Sequence, residues 1–334
     1  MKIKHLISCL GLSGILLGCI QEPEFESIEE GGLSINIDGS ISQISTKVNS
    51  QGFEHLDALA LYAVNYEEGN QTPGKLLSEG NQVDHVKYVF DEASWKWTPN
   101  RNVYYKDVNT NVDLYAFYPY DEPRDVSEYN FEVQKDQSIG RVAGNLSGYE
   151  ASDFLWGKAT NIAPTESAIK IKLEHKMAGV LVTLNEGSGF EEAGDWDLVS
   201  KQVLVTGTTR KASIDIATGE VTPVGTAQSA GILMASQTDG GFRAVVVPQT
   251  VDAGIPMFNI LVEGVTYRLS KDVRYTFVPG KLNKFTITIN RKSPSGEYEF
   301  ILSEASIIDW REDLNTHEGT ARQYYCVNCS EPGI

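Results

Sequence analysis

Basic residues are in short supply in this chain. Over 334 residues, 28 Lys and Arg stand against 45 Asp and Glu, a formal charge of −17. That balance argues against nucleic acid as a partner, because phosphate binding needs a basic face. It also argues against polybasic docking on anionic lipid. Arginine is missing altogether before Arg101, and Lys47 is the one basic residue between Lys4 and Lys75. No apolar run approaches the about 20 residues of a membrane-spanning helix. Catalytic signatures are missing too. Beyond the leader the histidines are His55, His85, His175 and His317, and none forms a metal-binding doublet. His317-Glu318-Gly319-Thr320-Ala321 opens like a zincin helix but lacks the second His. There is no nucleophile elbow, no P-loop and no EF-hand loop. No carboxylate pair is singled out as flanking a cleft. The reading is non-enzymatic, without cofactor or metal.

What is present begins at the N-terminus. Lys2 and Lys4 precede an apolar run from Leu6 to Leu17, and Leu16-Leu17-Gly18-Cys19 follows the lipobox pattern. Residues 1–18 therefore read as a lipoprotein signal peptide, with Cys19 acylated and anchored in outer-membrane lipid. Cleavage removes Lys2 and Lys4 and no acid, taking the charge from −17 to −19. Residues 19–32 read as an acidic tether, carrying Glu22, Glu24, Glu26, Glu29 and Glu30 without a basic residue. The tether is similar to an export signal that sends lipoproteins of some Gram-negative anaerobes to the cell surface.

The aromatic share is 10%, and Val, Ile and Thr are plentiful, which favours β-structure. Period-two alternation marks strands at His85 to Phe90, Ile169 to Leu173 and Phe285 to Ile289. Ala58 to Val64, Val112 to Tyr118, Gly179 to Leu184, Val203 to Val205, Ala244 to Val247 and Met257 to Val262 read the same way. Turn clusters such as Thr98-Pro99-Asn100 and Pro279-Gly280-Lys281 separate them. Many short strands with polar turns predict antiparallel sandwiches. The length suits two domains, 33–176 and 177–310, followed by a tail, 311–334. The stretch from Asp121 to Glu150 is polar and irregular, and reads as a long loop.

Two clusters could carry function. Cys326-Val327-Asn328-Cys329 holds the only thiols left once the leader is gone and Cys19 is acylated. A zinc site lacks a second ligand pair. A thioredoxin-like role lacks room for its helix, since Pro332-Gly333 follows at once. A local disulfide between Cys326 and Cys329, or a flexible tail, remains. Trp95, Trp97, Tyr104 and Tyr105 surround a turn, with Tyr115, Phe117, Tyr118 and Tyr120 beyond it. Such rings either pack a sandwich core or stack on sugars.

An ordered set of stretches then resembles one family. It runs from the lipobox at Cys19 through Leu33 to Ile44, Ser45-Thr46-Lys47, and Leu59-Ala60-Leu61-Tyr62-Ala63. It continues with Trp95-Lys96-Trp97, Val112 to Tyr120, Asp153 to Gly157, Leu173 to Val180, Tyr275 to Lys281 and Ile307-Ile308-Asp309-Trp310. The set is similar to the fimbrillin (Mfa-like) lipoproteins of type V pili. The resemblance implies an all-β chain of two tandem transthyretin-like antiparallel β-sandwich domains behind the signal peptide. It implies a surface-exposed outer-membrane subunit, part of a fimbrium when polymerised, that adheres to a host glycan or protein. It further implies cleavage after the first strand, mapped here to Lys47. Removal of that strand opens a groove that another fimbrillin subunit fills by strand exchange. Lys47 departs from an arginine pattern, which leaves an uncut anchor open as well. The C-terminal region is the donor candidate, although Tyr298 to Ile308 alternates poorly; without a donor strand a tip role follows. A glycan-binding surface lipoprotein that does not polymerise is the alternative.

Overall fold

The structure, a computed structural model, describes residues 32–41, 52–67, 69–142, 144–190, 194–227, 231–238, 240–292, 297–303 and 305–310. The strand Ala58–Glu67 explains much of the plan. Its sequence is almost continuously apolar because both of its faces are buried. Leu59, Leu61 and Ala63 enter one core, while Ala60, Tyr62 and Val64 enter another. Its neighbour Val112–Tyr118, buried along its whole length, divides the same way. Leu114, Ala116 and Tyr118 join the first core, and Tyr115 and Phe117 join the second.

Around the first core runs one curled sheet. Its order is Ile37–Ile41, Ile169–His175, Leu155–Ile162, Val112–Tyr118, Ala58–Glu67, Val83–Asp91 and Lys96–Pro99. The curl brings its two ends together, since Trp97 on the last strand donates to the Gly39 carbonyl on the first, at 3.1 Å. The alternation at Val86, Tyr88 and Phe90 does what the sequence predicts, with all three side chains fully buried. Ile169, Ile171 and Leu173 are buried between exposed Lys170 and Lys172.

The C-terminal half is a sandwich. One sheet places Gly241–Val246, Ala178–Glu186, Lys281–Arg291 and Tyr298–Leu302 side by side, with Ser306–Asp309 also on Lys281–Arg291. The other centres on Lys201–Val205, Pro256–Val262 and Val265–Ser270. Phe258 and Phe285 meet across the layers, ring edge to ring face, at 4.8 Å. Two pairings depart from the antiparallel expectation. Ile37–Ile41 lies parallel to Ile169–His175, and Ala178–Glu186 lies parallel to Lys281–Arg291. In the N-terminal half the first strand thus meets the last, in the C-terminal half the first meets Lys281–Arg291, and in both the intervening chain supplies the long crossover that a parallel pair requires.

The expected loop between Asp121 and Glu150 is in fact a strap. Tyr129–Glu132 is a strand that pairs with Lys211–Asp215 beyond residue 176. Further along, Gln137 is buried and its side-chain amide bonds Val245 in both directions, each at 2.7 Å. The described residues from Leu33 onward form one compact unit.

Candidate functional site

Cys19, Lys47, Cys326 and Cys329 all lie outside the described residues, as does His317. Lys47 falls within 42–51, the stretch between the strand Ile37–Ile41 and Phe53. The first strand itself is described, and its seat is the candidate site.

Residues 33–41 are gripped from two sides. On one side Ile35 N–H donates to the Val103 carbonyl at 3.0 Å, and Tyr105 N–H donates to the Leu33 carbonyl at 2.9 Å. On the other side Ile37 to Ile41 run in register with Ile169 to Leu173, and Ile169 N–H donates to the Asn36 carbonyl at 2.9 Å. Alternate side chains then set the face. Ile35, Ile37 and Ile41 are buried, while Ser34 and Asn36 are exposed. Gly39 takes the remaining inward position. A Cβ placed there would lie 3.2 Å from Trp97 Nε1 and 3.3 Å from Leu59 Cδ2. Two side chains reach the strand's own carbonyls, Tyr88 onto Ile35 at 2.9 Å and Trp97 onto Gly39. Burial pushes the Tyr88 phenol well above its usual range, so it stays a donor. Trp97 cannot step aside, being packed against Phe53 at 4.9 Å and Phe90 at 5.2 Å. The site is therefore a slot shaped for an extended chain.

Just past 42–51 the chain is fastened again. Arg141 reaches Asp57 at 2.6 Å, Glu150 at 3.0 Å and Glu54 at 3.2 Å. Burial raises the Asp57 carboxyl above its usual value, a shift that the Arg141 guanidinium opposes. The sequence gives no hint of this cluster, since its members are scattered from Glu54 to Glu150. The slot did leave a signal: a glycine interrupting the Ile35, Ile37, Ile41 alternation marks a close approach of backbone and side chain.

Other candidates resolve differently. Trp97 and Tyr105 are buried, and so are Tyr115, Phe117 and Tyr118; Trp95 keeps 42% of its surface exposed. The aromatic cluster is thus mainly core. His55 pairs with Asp91 at the surface. His85 stacks on Tyr120 at 4.9 Å. His175 and Asp153 form a buried pair at 2.9 Å, but the Trp310 ring lies flat on the imidazole at 4.2 Å. That contact ties three of the sequence stretches singled out above into one junction. A crevice of about 510 Å³ opens beside it. Its lysines are committed internally, Lys176 to Glu174 and Lys281 to Asp309. Among the described residues there is no metal-holding cluster, and no helix is long and apolar enough to cross a membrane.

The donor candidate near the C-terminus is an edge. Tyr298–Leu302 and Ser306–Asp309 both pair with Lys281–Arg291, with the break at 303–305. Ile301, Ile307 and Ile308 are about half exposed.

Comparison with known proteins gives the same picture. No curated protein matches. A candidate cell adhesion protein of Bacteroides ovatus superposes with a TM-score of 0.59 at 16% identity, covering 84% of this chain and 98% of that one. A second, from Bacteroides uniformis, gives 0.53 at 18% identity, covering 83% of this chain and 98% of that one. At such identities the likeness is one of fold. The fimbrillin-like family model matches residues 46–310, which include almost all of the β-structure described above, and the chain belongs to that family.

Proposed function

We propose that this chain is a surface lipoprotein of the fimbrial type, a pilus subunit that assembles by strand exchange and contributes to cell adhesion. The single observation that carries the reading is the seat of residues 33–41. A short strand sits parallel on one edge, with four alternate positions turned inward, and Lys47 follows within 42–51. Withdrawing such a strand would leave unpaired main chain and empty apolar pockets, which another extended segment can satisfy. An open groove of that kind is an aggregation hazard, so a covering strand kept until assembly makes physical sense. In this reading Cys19 carries the lipid, the tether 19–32 spaces the body from the outer membrane, and Lys47 is the processing point. Cys326 and Cys329 close a local disulfide, and 33–176 and 177–310 are the two sandwich domains. The role is non-catalytic. The glycan-platform alternative has less support, because most of the rings it would use are buried.

Native proteolysis tests the proposal. A trypsin-like protease acting on the full chain should clip selectively at Lys47. The clipped chain should then exchange its 33–41 strand for a labelled peptide of the same sequence. A chain resistant at Lys47 that remains monomeric and binds polysaccharide would sink the reading.

A further inference from the structure

The slot has a shape beyond being apolar. Three of its inward positions hold isoleucine, Ile35, Ile37 and Ile41, and the third of the four holds Gly39. The reason is Trp97. Its ring covers the place where a side chain at position 39 would stand, with a Cβ already tight at 3.2 Å. Phe53 and Phe90 hold the ring from two directions, and its indole N–H is spent on the Gly39 carbonyl. Leu59, fully buried, closes the other wall. Any occupant of this slot running in the same direction must therefore read large, large, small, large at alternate positions.

We infer that the slot selects its partner by this pattern, and that the partner is an extended segment of a different chain rather than the C-terminal stretch 298–334 of a second copy of this one. The inference rests on the strand-exchange reading. Its second half comes from the C-terminal sequence. Tyr298, Phe300 and Leu302 alternate, but Glu304 follows where the next large residue or the small one would be needed. Ile308 and Trp310 are followed by Glu312, and Tyr325, Val327 and Cys329 by Glu331. Read in reverse, Ile301 and Ser303 begin well, but Ala305 leaves an isoleucine pocket unfilled. In neither direction does 298–334 place three large apolar residues around a small one. A carboxylate forced into these pockets would be buried among apolar side chains, which is costly.

Peptide capture tests this without altering the fold of the protein. The full chain is cut within 42–51, at Lys47 or at an inserted protease site, and mixed with labelled peptides. One peptide is residues 33–44, a second is the same with Gly39→Leu, a third with Gly39→Ala, and a fourth is residues 298–309. Fluorescence anisotropy should show capture of the 33–44 peptide, with Gly39→Ala captured more weakly but less so than Gly39→Leu. The Gly39→Leu and 298–309 peptides should bind at least about tenfold more weakly, as expected for overfilling a tight pocket. Gly39→Leu or 298–309 captured as tightly as the parent would overturn the selectivity while leaving strand exchange standing. Failure of the cut chain to capture any peptide would overturn strand exchange and the selectivity with it.

Discussion

Arg141 shows how much one side chain can organise. It is a quarter exposed, yet it answers Glu54, Asp57 and Glu150, and Asp57 is almost wholly buried. Asp57 also accepts the Glu54 N–H at 2.8 Å and lies 3.3 Å from the Tyr118 hydroxyl. The cluster therefore fixes Phe53 to Asp57, the first described segment after 42–51. Removing only the cation leaves a buried carboxylate without its charge partner. Arg141→Met should cost about 3 kcal/mol in urea unfolding, the range for breaking a buried ion pair. Adding Asp57→Asn should return part of that loss, because the two residues are coupled. The pH sign follows from the raised Asp57 carboxyl. The folded state holds that proton more tightly than the unfolded state, so lowering the pH favours folding through this group. In Arg141→Met the deficit should shrink as pH falls toward 4, and a deficit that grows would contradict the account.

At the scale of elements, the strap from Tyr129 to Gln137 does the joining. Tyr129 and Phe131 sit in the core shared by the two halves, and the Gln137 amide replaces missing ladder bonds by pairing with both main-chain groups of Val245. Gln137→Ala strands a buried N–H and a buried carbonyl. A loss of roughly 2 kcal/mol is expected, with faster amide exchange at 129–133. A variant as stable as the parent, with unchanged exchange, would show the strap to be incidental. This element also marks where sequence reading stopped. The strands Val83–Asp91, Ile169–His175 and Lys281–Arg291 were legible, since Val86 to Phe90, Ile169 to Leu173 and Phe285 to Ile289 alternate without a break and each set turns its apolar residues inward. Tyr129 and Phe131 alternate too, but for four residues only, amid polar neighbours and opposite a partner strand at 211–215. Pairing that distant leaves no local signature. The slot was half legible: its isoleucines and Gly39 are in the pattern, whereas Trp97 as its wall depends on the curl of the whole sheet.

The described residues are organised by two cores that share strands. Ala58–Glu67 and Val112–Tyr118 contribute opposite faces to each, so neither core can lose its packing without exposing a strand of the other. Acidity was readable from composition alone; this sharing was not, although the unbroken apolar run at Ala58 to Val64 is its trace. The buried tyrosines turn the arrangement into a measurement. Tyr62 and Tyr129 lie in the shared core, and Tyr88 and Tyr118 in the slot core. Burial raises all four phenols above their ordinary value of 10, and it takes Tyr275 up to about 12. A phenol whose folded value is raised contributes stability that is complete below pH 10 and is lost as the pH climbs beyond it. The chain should therefore unfold in alkali above pH 10, and the phenolate absorbance of these four should appear together with the loss of β-sheet circular dichroism. One transition is expected, because the cores cannot part. Two separate steps, or ionisation of all four with the fold intact, would mean that the shared strands do not couple the halves.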